Sequence, residues 1–81
     1  MLPLSQFKRF DVRPLLAKGE EPLPAIRQRV DELEGDEGLI LIAPFLPSPL
    51  IHLLGGEGFL SRVERGEGGD WVVYFWKGET E

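Results

Sequence analysis

The chain of 81 residues carries 14 acidic and 9 basic side chains, for a net charge of −5, with no cysteine and one histidine, His52. This composition predicts one small domain and excludes disulfides, thiolate chemistry and a zinc site rich in Cys or His. Because the basic residues are scattered and form no stripe, we expect no nucleic-acid partner. No carboxylate cluster is evident in the sequence either, and we expect no metal and no cofactor.

The hydropathy of the chain predicts no membrane segment. The longest apolar run, residues 39–45, is far too short to span a bilayer, and the first ten residues lack the apolar core of a signal peptide. We therefore expect a cytoplasmic protein with no membrane partner. The absence of the heat-labile residues asparagine and cysteine is compatible with a thermophilic source.

The first half of the chain predicts a strand and a helix. The strand covers residues 7–12, and a loop with a proline and a glycine follows over residues 13–21. Apolar residues at helical spacing predict a helix over residues 22–34 that Gly35 ends. Pro22 and Pro24 fit only in its first turn. Glu20 and Glu21 precede it, where the helix dipole favours carboxylates; we interpret them as helix caps, with a ligand site as the alternative.

The second half predicts a strand, a helix and a hairpin. Residues 39–43 are apolar on both faces, as in the interior of a sheet. A proline-rich loop, residues 44–49, leads to a short helix over residues 49–54, with Ser48 as its N-cap and Gly55-Gly56 at its end. Residues 59–65 and 70–77 then form a hairpin around the turn 66–69, and the tail 78–81 is expected to fray.

The order of these elements predicts an α+β fold. It is a two-layer sandwich with the order β-α-β-α-β-β, in which two helices cover one face of a mixed four-stranded sheet. Residues 1–81 are expected to form a single domain with an ordered core over about 7–77.

Two short motifs resemble the TusA-like (SirA-like) fold. Asp11-Val12-Arg13 matches the Asp-x-Arg that ends the first strand of its sulfur carriers, and Pro22-Leu23-Pro24 matches the Pro-x-Pro that follows their cysteine. Glu21 stands in the place of that cysteine. The resemblance therefore implies the fold but not direct sulfur carriage, because a carboxylate cannot hold a persulfide.

A sister family of unknown function is a closer resemblance. Its members share the fold, lack the cysteine and often occur beside hemerythrin-like domains. The matching segments are Glu21-Pro22-Leu23, Pro47-Ser48-Pro49-Leu50 and Trp71-Val72-Val73, within about residues 7–77. Relatives often carry a polar His-Asp pair before Pro-x-Pro-Leu, whereas this chain has Phe45-Leu46, so a ligand site there is expected to be lost. The resemblance implies a setting in redox, sulfur or metal-centre metabolism.

Two candidate binding surfaces follow from this fold. One is the mouth of the first helix, formed by Arg13, Glu21, Pro22 and Pro24. The other is the open face of the sheet, with Arg9, Arg62, Tyr74 and Trp76. The family pattern turns Trp71, Val73 and Phe75 inward, which leaves Tyr74 and Trp76 as a contact surface or, alternatively, covered by the arginine stems.

These observations predict a non-enzymatic binding or accessory module that engages a protein partner or a second copy of itself as a homodimer. The alternative is a small-molecule or metal-binding protein with a pocket between Arg13 and the loop 44–49. No catalytic residue is predicted, because His52 has no acid–base partner at helical spacing. The glycine-rich segments 55–58 and 66–69 lack the Lys and Ser/Thr of phosphate-binding loops.

Overall fold

The computed structural model describes residues 2–78. Four strands form one sheet in the order β1-β2-β4-β3, with bounds β1 Phe7–Asp11, β2 Gly38–Ala43, β3 Phe59–Arg65 and β4 Trp71–Lys77. β1 pairs with β2 in parallel, and the other two pairings are antiparallel. Three helices connect the strands: α1 Arg13–Ala17, α2 Pro22–Asp31 and α3 Ser48–Gly56. The predicted α+β architecture with a mixed four-stranded sheet is confirmed.

The core lies between one face of the sheet and the longer helices. Its buried side chains come from both layers: Ile26 and Val30 of α2, Leu50 and Leu54 of α3, and Leu39, Leu41, Val73 and Phe75 of the sheet. Because side chains alternate along a strand, Ile40 and Ile42 of β2 and Val72, Tyr74 and Trp76 of β4 face the other side. The predicted two-layer arrangement is therefore confirmed, and Val73 and Phe75 point inward as expected. Within residues 2–78, no helix is long and apolar enough to cross a membrane.

The predicted loop after β1 is wrong over its first half, because α1 begins at Arg13. Pro14 is tolerated in the first turn of a helix, and Leu15 and Leu16 pack against the core. The helix ends at Ala17, and Gly19 follows two residues later with a φ of 78°, a left-handed conformation that glycine adopts without strain. The Gly19 N–H bonds Leu16 O and the Glu20 N–H bonds Leu15 O, the pair of bonds that closes a Schellman motif.

The predicted bounds of the other helices also change. α2 ends at Asp31, four residues before Gly35. Gly35 lies instead in a separate turn, in which the Glu37 N–H donates to Glu34 O. α3 runs through both of its glycines to Gly56, and the turn to β3 uses Gly58 instead, with a φ of 97°. Its N-cap is Pro47 and not Ser48. The tail predicted to fray is residues 78–81, and residues 79–81 lie outside the described range.

Candidate functional site

An apolar cavity of about 150 Å³ lies at the start of α2. It opens between the first turn of α2, the inward face of β2 and the segment that leads into α3. All ten lining residues are apolar: Val12, Pro22, Leu23, Ile26, Leu41, Ala43, Phe45, Pro47, Pro49 and Leu50. Leu23 and Phe45 are 46% and 44% exposed, so they form an apolar rim where the cavity meets solvent. We call this cavity and its rim the α2 mouth.

The first turn of α2 is unusually poor in hydrogen-bond donors. Pro22 and Pro24 occupy the first and third positions of the helix, so only Leu23 and Ala25 keep an N–H among its first four residues. Glu21 is the N-cap residue, but its side chain makes no capping hydrogen bond. Glu21 thus occupies the N-cap position, as interpreted, but it can act on the helix only through its charge and not through a hydrogen bond. With so few N–H groups in its first turn, the start of α2 offers little to an anion. The Glu21 side chain is exposed to solvent.

The segment 44–49 closes the other side of the cavity. Two backbone bonds shape it: the Ser48 N–H bonds Leu46 O, and the Ile51 N–H bonds Pro47 O. Pro47 is buried, whereas Phe45 and Leu46 remain partly exposed. A pocket does lie beside this loop, but its wall is apolar and Arg13, which the predicted pocket included, does not line it. The exposed aromatic at Phe45 was the sequence signal for it, and it had been interpreted only as the loss of a polar site.

Arg13 does not line the α2 mouth. Its guanidinium makes two bonds to the Asp11 carboxylate, Nε–Oδ1 at 2.9 Å and Nη2–Oδ2 at 2.6 Å, and a third to Asp70, Nη1–Oδ2 at 2.6 Å. Its backbone N–H also bonds Asp11 Oδ1 at 3.0 Å. The Asp-x-Arg motif is thus a clamp that joins the end of β1 to the start of β4. The structure does not bring Arg13 together with Glu21, Pro22 and Pro24.

The clamp shifts the titration of its members. The side-chain hydrogen bonds from Arg13 lower the pKa of Asp11 from 3.8 to about 2, although partial burial opposes the shift. The same bonds, first to Asp11 and then to Asp70, raise the pKa of Arg13. Because the N–H groups of its guanidinium already bind two carboxylates, Arg13 has little capacity left to bind an external anion.

The four predicted residues of the open face fall into two rows across the sheet. Arg9, Tyr74 and Arg62 share one row with Ile40, according to the strand register. Trp76 lies in the adjacent row, opposite Leu60. The sequence prediction therefore placed all four on the correct face. It did not include Phe7 of the edge strand β1, which the strand register places in the row of Trp76.

Phe7 is the residue that the sequence reasoning missed. Its ring lies edge-on to Tyr74, with centroids 5.6 Å apart, and edge-on to Trp76 at 6.3 Å. It fits because Gly38 beneath it has no side chain: a Cβ there would lie 2.5 Å from Phe7 Cε2. Tyr74 and Trp76 are consequently half-buried. The Phe7 ring contributes to covering them, which leaves a smaller apolar surface than predicted.

The remaining candidates show no arrangement for chemistry. His52 is exposed on α3. The segment 66–69 forms a turn in which Gly68 and Gly69 have φ of 66° and 87°. Within residues 2–78, no group of three or more His, Cys, Asp or Glu side chains could hold a metal ion. The α2 mouth is the wholly apolar concavity among the predicted surfaces. A second concavity, of about 330 Å³, lies on the open face, and Arg9, Arg13 and Tyr74 are among its lining residues.

Comparison with known proteins gives one match. The model of a protein family described as "Uncharacterized conserved protein (DUF2249)" matches residues 9–77. This range contains the Asp11–Arg13 clamp, the α2 mouth and three of the four strands in full. No curated protein matches the chain, and no solved structure matches it.

Proposed function

The chain belongs to the DUF2249 family of uncharacterised conserved proteins, and from that premise we propose that it is a non-enzymatic binding module. Its site is the α2 mouth, and its ligand is a bulky apolar side chain of a protein partner. The observation that carries the proposal is the cavity of about 150 Å³ with only apolar residues around it. Such a lining offers no nucleophile, acid or base, but it suits the burial of an apolar group.

The size of the cavity favours a single large side chain. A dry apolar cavity of roughly 150 Å³ accommodates a group the size of benzene. Interfaces commonly gain most of their affinity when one aromatic or aliphatic anchor fills such a pocket. The exposed rim residues Leu23 and Phe45 would extend the contact around that anchor. A phenylalanine, leucine or methionine of the partner therefore fits the site.

The charge around the mouth favours a basic neighbour for that anchor. Glu20 and Glu21 are exposed immediately before α2, and the whole chain has a net charge of −5. Acidic residues beside a binding site attract a basic partner and speed its association. The proposed ligand is thus a peptide segment in which a bulky apolar residue lies next to Lys or Arg.

The proposal can be tested by selecting peptides from a randomised display library on the immobilised protein. We expect enriched sequences to combine a bulky apolar residue with a nearby Lys or Arg. The best peptide should lose most of its affinity for Ala43→Val, which adds two methyl groups inside the cavity. Ala17→Val, the same change on the exposed side of α1, is the matched control and should bind normally. Equal binding by both variants would show that the cavity is not the site.

A small apolar molecule is the second candidate ligand, favoured by the same volume. It predicts a rise in the melting temperature with benzene-sized compounds that disappears in Ala43→Val. Arg13→Ala should leave the rise intact, because Arg13 does not line the cavity. A panel of such compounds with no shift, while the selected peptides still bind, would restrict the site to protein partners.

The resemblance to the TusA-like fold supports a role beside redox, sulfur or metal-centre proteins. Direct persulfide transfer is excluded, because the chain has no cysteine. In the sulfur carriers that the chain resembles, the nucleophilic cysteine stands at the start of this helix. This chain has Glu21 in that position and an apolar cavity beside it. The proposed role is therefore recognition of a partner and not chemistry upon it.

A further inference from the structure

Strand β3 forms one edge of the sheet in the part of the chain that the structure describes. Its seven residues pair only with β4 among the described strands, in one continuous register from Phe59↔Lys77 to Arg65↔Trp71. Every residue after Phe59 is exposed. Proteins usually protect such an edge with a proline, a bulge, a very short strand or charged side chains. β3 has only the last of these, in Arg62, Glu64 and Arg65. Its outward backbone N–H and C=O groups are available to another strand.

The sequence of β3 is complementary to itself around Val63. When a second copy approaches antiparallel and Val63 lies opposite the partner's Val63, Arg62 faces the partner's Glu64 and Glu64 faces the partner's Arg62. We propose that a second copy of this chain pairs with β3 in this register, which joins the two four-stranded sheets into one continuous sheet of eight strands. This proposal is independent of the ligand proposed for the α2 mouth.

The charges on the open face support this register. Within one chain, Arg62 Nε lies 3.4 Å from Glu64 Oε2. In the paired edges, each of these side chains would also meet the opposite charge of the partner, so four charges would alternate around the two-fold axis. Directly opposite side chains of unlike charge stabilise antiparallel strands, and like charges destabilise them.

The other face of the strand supports it as well. Val63 is 40% exposed on the side that carries the helices. At the two-fold axis it would pack against the partner's Val63, and its exposed surface would be buried. The helices of both copies would lie on the same face of the joined sheet, because the two-fold axis is perpendicular to it.

The neighbouring registers of β3 lack this complementarity: centring the pair on residue 62 or on residue 64 would oppose two arginines or two glutamates. The other edge strand, β1, would oppose Arg9 to the partner's Arg9 when centred on Arg9. Centring β1 on Phe10 would oppose Arg9 to the partner's Asp11, but both oxygens of the Asp11 carboxylate are already bonded to Arg13. The β3 edge centred on Val63 is therefore the favoured one.

The test measures molar mass by light scattering over a dilution series of the full chain. We expect twice the mass of one chain at high concentration and the mass of one chain after dilution. Arg62→Glu and Glu64→Arg should each weaken the dimer by roughly tenfold or more, because each replaces two attractive pairs with two repulsive ones. An equimolar mixture of the two variants should regain the dimer, since every opposed pair is again of unlike charge.

Arg9→Glu is the matched control, with the same charge change on the same sheet face but on β1. It should leave the dimer unchanged, and circular dichroism should show that all variants are folded. A wild-type chain that stays monomeric at every concentration would overturn the proposal. A dimer that Arg9→Glu weakens as much as Arg62→Glu, or a mixture that does not recover, would also overturn it and favour stacking of the open faces.

Discussion

The contact between Phe7 and Gly38 gives the sharpest test of the packing of the open face. A Cβ added at Gly38 would lie 2.5 Å from Phe7 Cε2 and 2.6 Å from the backbone oxygen of Phe75. The phenyl ring of Phe7 can rotate away, but the Phe75 carbonyl belongs to the ladder between β2 and β4. Gly38→Ala therefore forces either a shift of the strand or the loss of the aromatic contacts.

The expected cost follows from these two contacts. Forcing one extra carbon into a packed position typically costs about 1–3 kcal/mol. The reduced freedom of the unfolded chain offsets about 0.4–1 kcal/mol of this. We therefore expect Gly38→Ala to lower the free energy of unfolding by about 1–2 kcal/mol. Gly55→Ala is the matched control: its Cβ would meet nothing within 4 Å, and an exposed helical alanine should raise stability by about 0.5–1 kcal/mol.

The assay is urea unfolding, followed by tryptophan fluorescence and by circular dichroism. Trp76 lies beside Phe7, so its emission should also change in the folded Gly38→Ala protein and not in Gly55→Ala. The same substitution should thus change stability in opposite directions at the two glycines. If Gly38→Ala were as stable as the wild type, the close packing of Phe7 over β2 would be refuted.

Three further changes test the clamp and the α2 mouth by urea unfolding. Ala43→Val should raise the free energy of unfolding by about 1 kcal/mol, because two methyl groups enter an apolar cavity; a loss would mean that the cavity has no room. Glu21→Ala should change it by less than about 0.5 kcal/mol, since no capping bond is lost; a larger loss would restore the capping role. Asp11→Asn should be destabilising above about pH 5, and its difference from the wild type should disappear as the pH falls to about 2. The reason is that Arg13 lowers the pKa of Asp11 from 3.8 to about 2 in the folded chain, so the stabilisation is complete above the unfolded pKa and is lost on protonation; a difference that does not change with pH would contradict it.

The order along the chain of the four strands and the two longer helices was predictable because local patterns specify these elements. Residues 39–43 are apolar on both faces and so had to lie inside the sheet, where β2 pairs with both β1 and β4. The alternation in β4 placed Val73 and Phe75 on one face, and the family resemblance indicated that this face points inward, as it does. In such segments the periodicity of the side chains and the burial of the fold agree.

The errors came from contacts between residues far apart in the sequence. Arg13 looked like a binding residue because its second partner, Asp70, is 57 positions away. The cavity at the α2 mouth depends on how the segment 44–49 packs against α2, and no local pattern encodes that. α1 was missed for a different reason: a helix of five residues is too short for a periodic signal. Its proline at the start and glycine at the end were the only available signs.

The two proposed surfaces have a joint consequence that can be measured. The α2 mouth lies over the β1–β2 half of the sheet, as its lining residues Val12, Leu41 and Ala43 show. β3 is the opposite edge, with β4 between. Pairing through β3 would therefore leave both mouths free, on the outer halves of the joined sheet.

A dimer with two free mouths should bind a partner that presents several copies of the ligand more tightly than a monomer does, since the second contact is intramolecular. On a surface dense in the selected peptide, the wild type should dissociate at least about tenfold more slowly than Arg62→Glu. On a sparse surface, where only one mouth can engage, the two proteins should dissociate at the same rate because their mouths are identical. Equal rates on both surfaces would mean that the paired edges and the α2 mouth do not act together.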